Sequence, residues 1–156
     1  MLKLQLKYLS FFFALITILS FFNLIYSYYL NLYLNLNTYY FSLIISLILA
    51  IFFYKFKLQE KKLNIYNKIF TVFFGYILIP IILSIPFYLS IYNLTFLNSF
   101  FESISGFTST GFTIFDNIKH IDQSLILWRS STQWIGGLYF LFSIIFLIDI
   151  YDESFK

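Results

Sequence analysis

The sequence predicts an all-α integral membrane protein with four transmembrane helices and one shorter helical segment between the third and fourth. Three observations predict it. Of 156 residues, 60% are hydrophobic and only 11% charged, against about 45–50% and about 25% in soluble domains. Four apolar stretches recur along the chain, and a semi-polar interruption of about thirty residues separates the last two. A chain this poor in charge cannot solvate its own surface, so lipid must cover much of it. The 23 Phe and 14 Tyr reflect an Ile/Phe/Tyr/Asn/Lys-rich coding bias and are not read as a motif.

Residues 8–30, 38–54, 69–92 and 124–148 are the four spans. Crossing a ~30 Å hydrocarbon core takes roughly 20 helical residues, and an open sheet in lipid would leave backbone groups unpaired. The first span follows Lys3 and Lys7 as a secretory signal would. Its apolar run continues well past a signal core of about 7–15 residues, with no small-residue cleavage site, so it is an anchored helix.

Charge sets the expected orientation. Lys55, Lys57, Lys61, Lys62 and Lys68 cluster between the second and third spans. With Lys3, Lys7 and Lys156 they place eight of the ten basic residues on one side, leaving Lys119 and Arg129 on the other. The positive-inside rule places both termini in the cytoplasm, and the expected location is the plasma (inner) membrane, as a multi-pass protein. Three units follow: an N-terminal transmembrane hairpin with its basic loop over 1–62, a helix–loop–helix unit over 63–150, and a short polar tail over 151–156.

Asn93 to Gln123 does not fit a plain four-helix reading. Its first half, NLTFLNSFFESISGF, looks helical but is too short to cross. Ser99-x-x-Glu102 has the capping-box spacing, and Gly106 with the following Ser/Thr run ends the helix. The expected form is re-entrant: a short pore helix followed by an extended return. Irregular backbone at membrane depth is tolerated where protein shields it or water faces it.

The return is Thr108-Ser109-Thr110-Gly111-Phe112-Thr113. A dehydrated monovalent cation needs closely spaced oxygens, which filters supply from successive backbone carbonyls. Gly111 reaches positive φ at little steric cost. The hydroxyls of Thr110 and Thr113 either add oxygens or tie the strand to its surroundings. The short helix would direct its partly negative C-terminal end toward the pore centre. A Thr/Ser/Gly string by itself is weak; its place after a sub-spanning helix is what points to a filter strand.

FFESISGFTSTGFT (Phe100 to Thr113) resembles the first pore helix and filter of TrkH/KtrB-type potassium uptake transporters. WRSSTQWIGG (Trp128 to Gly137) is similar to the start of the helix after that filter, and Ile85-Pro86-Phe87-Tyr88 to the outer end of the helix before it. The leading hairpin and basic loop resemble the extra pair of spans before the family's first repeat. The resemblance implies four helix–pore-loop–helix repeats around one potassium path, of which this chain holds one. It implies ion-binding carbonyls over Thr108, Ser109, Thr110, Gly111, Phe112 and Thr113, with Ser109 and Thr110 foremost. The family commonly has threonine where Ser109 stands and a small residue where Phe112 stands, so Phe112 should point away from the path. Potassium is then the substrate, with no cofactor. The partners implied are the remaining repeats or further copies of this chain, a cytoplasmic nucleotide-binding regulatory subunit and membrane lipid. A homotetrameric cation channel and a non-conducting interaction protein or inactive fragment are the alternatives.

Four residues are expected to support the strand. Glu102 completes the capping box or attracts cations. Arg129 pairs with Glu102 or another carboxylate behind the strand, or snorkels to the headgroups. Gly136 and Gly137 permit close helix packing. Pro80 and Pro86 kink the third span or mark its end, Trp128 and Trp134 are packing or interfacial aromatics, and Asn23 bonds a neighbouring helix. Asp116 and Asp122 are solvated carboxylates or concentrate cations, and His120 is a loop residue. No nucleotide-binding loop, nucleophile–base set or metal-ligand spacing is present, and nothing fits nucleic acid. The chain is not expected to be an enzyme.

Overall fold

A computed structural model describes residues 7–56 and 65–148, without the Lys119 side chain. The helices are α1 (Lys7–Tyr29), α2 (Leu36–Tyr54), α3 (Ile65–Leu83), α4 (Ile85–Tyr88), α5 (Phe96–Phe107) and α6 (Gln123–Ile148), with a 3-10 turn at Ile118–His120. There is no strand among the described residues. Lys3, Lys57, Lys61, Lys62, Lys156, the 62/63 boundary and the tail from 149 lie outside the described residues.

Four helical stretches are long and apolar enough to cross a membrane: Lys7–Tyr29, Leu36–Tyr54, Ile65–Tyr88 and Gln123–Ile148. The third starts earlier than the apolar run suggested. Asn67 and Lys68 lie inside the helix, and both make contacts there. The Asn67 carbonyl accepts from the Thr71 hydroxyl at 2.7 Å, and the Lys68 ammonium lies 5.6 Å from the Phe146 ring centre. It also stops short of residue 92, in a turn that ends with Asn93 at φ 50°.

α1 and α2 form an antiparallel hairpin zipped by small hydroxyl residues. Thr17 meets Ser46 at 2.9 Å and Ser20 meets Ser42 at 3.2 Å, since small side chains let the backbones approach. The expected cross-helix bond of Asn23 is not made. Its buried amide, like the Ser27 hydroxyl, has no hydrogen-bond partner among the described residues.

The core lies where α1, α3, α5 and α6 converge. Tyr139 packs edge-on against Phe12 and Tyr76, with ring centres 4.8 and 5.0 Å away. Its hydroxyl donates to the Val72 carbonyl at 2.9 Å, across the space left by Gly75, where a Cβ would strike the Tyr139 ring. At one end of the bundle Lys7 sits 5.0 Å from the Tyr54 ring and Lys68 covers Phe146, so the starts of α1 and α3 meet the ends of α2 and α6. Ammonium groups over aromatic faces suit an interfacial position.

The break between α3 and α4 at Ser84 has a local cause. Pro86 has no N–H to offer Ile82, four residues back. Trp128, fully buried, donates its indole N–H to the Leu83 carbonyl at 3.1 Å. Trp128 is thus a packing aromatic, whereas Trp134 is exposed.

Candidate functional site

α5 has 12 residues, about 18 Å at 1.5 Å per residue, too short to cross a ~30 Å core. Its N-cap is Thr95, whose hydroxyl accepts from the Asn98 N–H at 3.3 Å. This corrects the capping-box expectation for Ser99 and Glu102. Ser99 lies inside the helix and donates to the Thr95 carbonyl at 3.0 Å, while Glu102 is turned sideways and completely buried.

The helix ends in a Schellman motif. The Thr110 N–H bonds the Ser105 carbonyl at 3.1 Å, and the Ser109 N–H bonds the Gly106 carbonyl at 2.9 Å. The turn needs a left-handed residue after the cap, and Ser109 fills it at φ 56°. Gly111 follows at φ 79°, with nothing within 4 Å of where a Cβ would stand. Its requirement is therefore conformational rather than spatial.

Beyond the turn, the chain is fastened to one face of α5. Glu102 Oε1 accepts from the Thr113 hydroxyl and the Ile114 N–H, both at 2.6 Å. Ser105, one helical turn on, donates to the Phe112 carbonyl at 2.7 Å. From α6, Arg129 Nε stands 3.2 Å from Glu102 Oε2, an ion-pair contact off the line of a hydrogen bond. Its Nη2 donates to the carbonyls of Gly111 at 3.1 Å and Phe112 at 3.0 Å. The Arg129 side chain is 12% exposed and that of Glu102 0%. Removing one member of a buried pair costs on the order of 3–5 kcal/mol, because the other charge is left uncompensated.

Thr108, Ser109 and Thr110 are exposed, and among the described residues no donor meets their carbonyls. The Thr110 hydroxyl ties inward to Ser105 Oγ at 3.1 Å, and that of Thr113 to Glu102, so both serve the tying role. Phe112 is 69% exposed. Below the turn, Tyr76, Ser109, Gly137 and Phe140 line an open groove of about 420 Å³.

α6 holds α5 closely. A Cβ on Gly136 would strike the Phe107 backbone, and one on Gly106 the Thr132 side chain. Gly137 has no such neighbour. Asp122 caps α6, taking the Ser124 hydroxyl at 2.8 Å, and also accepts from Asn35 at 2.8 Å. Asn35, in the hairpin turn, accepts the Ile91 N–H at 3.1 Å. The hairpin is thereby stapled to the chain on both sides of α5.

Comparison with known proteins bears on this arrangement. Over 110 residues the chain is 33% identical to an uncharacterized cation transporter of Methanocaldococcus jannaschii, covering 69% of this chain and 23% of the relative. Over 64 residues it is 38% identical to the Trk system potassium uptake protein TrkG of Escherichia coli, 40% of this chain and 13% of the relative. Over 55 residues it is 42% identical to TrkI of Halomonas elongata, 35% of this chain and 11% of the relative.

Part of the chain is similar to Trk potassium uptake proteins.

It aligns with less than a quarter of the length of these relatives, which are named as transporters and not as enzymes. No protein-family model and no solved structure matches it. In this chain, Glu102, Gly111, Phe112, Thr113 and Arg129 come together in one bonded cluster, and of the alternatives expected for Arg129 the pairing with Glu102 is the one formed. Asp116 and His120 are exposed and join no metal-binding group among the described residues. Sequence reading missed Ser105 and Asn35. Ser105 carries a usable signal, since a hydroxyl three residues after a carboxylate shares its helix face. Asn35 carries none, because its partner lies 87 residues away.

Proposed function

We propose that the chain is a pore-forming component of a Trk-type potassium uptake system, contributing one selectivity-filter strand over residues 108–113. The observation that carries this is the exposed run Thr108–Thr110. Three successive carbonyls that meet no donor among the described residues follow the C-terminal end of a sub-spanning helix. Oxygens so placed replace the hydration shell of a monovalent cation, and the helix terminus adds negative potential. α5 and the return to α6 then form the re-entrant pore loop of one repeat, with α1 and α2 as a leading hairpin. Both termini are cytoplasmic, in keeping with lysines over aromatic rings at the end opposite α5.

A single strand does not surround an ion, so conduction requires further repeats, on the same chain, on another, or on copies of this one. Potassium moves down its electrochemical gradient, and a cytoplasmic nucleotide-binding subunit would regulate the complex. The test is complementation of potassium-uptake-deficient cells by this chain, alone and together with the product of its neighbouring reading frame. Rescue that is lost in Gly111→Val supports the proposal. Rescue that survives Gly111→Val argues against this strand as the filter, and no rescue in either arrangement favours a non-conducting interaction protein.

A further inference from the structure

We infer that the end of the α1–α2 hairpin carrying Lys7 and Tyr54 binds one anionic phospholipid, with an acyl chain in the groove between the helices and the headgroup phosphate at Lys7. The groove comes from side-chain size. On α1, Lys7, Ser10 and Ala14 stand three and four residues apart and share one face, as Ala50, Ile51 and Tyr54 do on α2. Ser10, Ala14, Ala50, Ile51 and Tyr54 line an open hollow of about 270 Å³. Three of the five are small, which leaves the space. The Ser10 hydroxyl is already spent on the Lys7 carbonyl at 2.7 Å, so it sets no unmet polar group against an acyl chain. From Lys7 to Ala14 the face extends about 10 Å along the helix, within the roughly 15 Å depth of one leaflet.

Charge stands at one end of this hollow. The Lys7 ammonium lies 5.0 Å from the Tyr54 ring centre, which holds a cation over the rim. Lys55 follows Tyr54 and is exposed. Among the described residues neither lysine meets a carboxylate. The first 59 residues of the chain carry Lys3, Lys7, Lys55 and Lys57 and no acid. An apolar hollow open to the bilayer takes a lipid chain, and its positive rim selects a negative headgroup, as basic pockets between spanning helices do. A zwitterionic headgroup, with no net charge, gains less at the same rim.

The test is native mass spectrometry of the delipidated full chain, offered equal amounts of phosphatidylglycerol and phosphatidylcholine with matched acyl chains. Wild type should retain one copy of phosphatidylglycerol in preference. Lys7→Gln should lower that retention about fivefold, the contribution of one lysine near an anionic surface, and leave phosphatidylcholine unchanged. Ala14→Phe, at an exposed position, fills the hollow from outside the core and should lower retention of both lipids. Excess glycerol phosphate should not displace the bound lipid, because it lacks the chain that fills the hollow. Equal retention of the two lipids by wild type overturns the inference. So does a phosphatidylglycerol preference that survives both substitutions, or displacement by glycerol phosphate.

A second readout uses wild type alone, so that no variant need fold. Phosphatidylglycerol with a photoactivatable diazirine in its acyl chain should crosslink within residues 10–14 and 50–54. Crosslinks spread evenly over the four spans would assign the lipid to general bilayer contact and overturn the site.

Discussion

The indole N–H of Trp128 donates to the Leu83 carbonyl at 3.1 Å, joining α6 to the point where α3 breaks. The bond gives the Leu83 carbonyl a partner at the break, where helix backbone groups in an apolar setting need partners. Trp128→Phe keeps most of the ring but leaves that carbonyl unpaired, at a cost of about 1–3 kcal/mol. Thermal unfolding in detergent should show a clear loss for Trp128→Phe and almost none for Trp134→Phe, whose side chain is 55% exposed.

Adjacent glycines in α6 should respond in opposite ways. Gly136→Ala drives a methyl into the Phe107 backbone, where neither helix can yield without moving the turn that follows. Folded yield should fall sharply. Gly137→Ala meets nothing within 4 Å and should gain up to about 1 kcal/mol from helix propensity. Size-exclusion profiles of the two variants, prepared side by side, separate the outcomes.

Ser109 occupies a left-handed position that glycine fills more cheaply. Ser109→Gly should stabilise the α5 terminus by up to about 1 kcal/mol. Slower amide exchange of Thr110, whose N–H closes the motif on Ser105, would register the gain. Ser109→Val should do the reverse.

Asn35 predicts a pH dependence once changed. Asn35→Asp places a second carboxylate against Asp122, where the wild-type amide stands at 2.8 Å. Two carboxylates at that spacing cannot both ionise comfortably, so one binds a proton more tightly when folded than when unfolded. Such a group destabilises the fold at neutral pH and does so less as pH falls through its raised value. Melting temperature should therefore recover in acid for Asn35→Asp, whereas Asn35→Ala should stay low at every pH.

The spans were legible because length and apolarity answer to the bilayer alone. Even there, Asn67 and Lys68 were left outside α3, since their cover comes from Thr71 and from Phe146 on another helix. Gly111 was legible for a local reason: only a residue without a Cβ turns that way freely. Glu102 was legible only in part: its spacing from Ser99 suits a capping box that it does not form, while its contact with Arg129, 27 residues further on, was one of the expected alternatives. Thr95, the actual cap, stands just before Phe96, where nothing in the local pattern marks the first helical residue. Asn23 was misread for the same reason, because a polar residue on an apolar helix states a need without saying whether it is met.

One consequence concerns the order of events in assembly. Residues 110–114 are fastened wholly to elements of their own chain: Ser105 and Glu102 on α5, Arg129 on α6. Their shape is set before any neighbour arrives. A second repeat, as the proposed function requires, would then meet a finished edge and lose little chain entropy on joining.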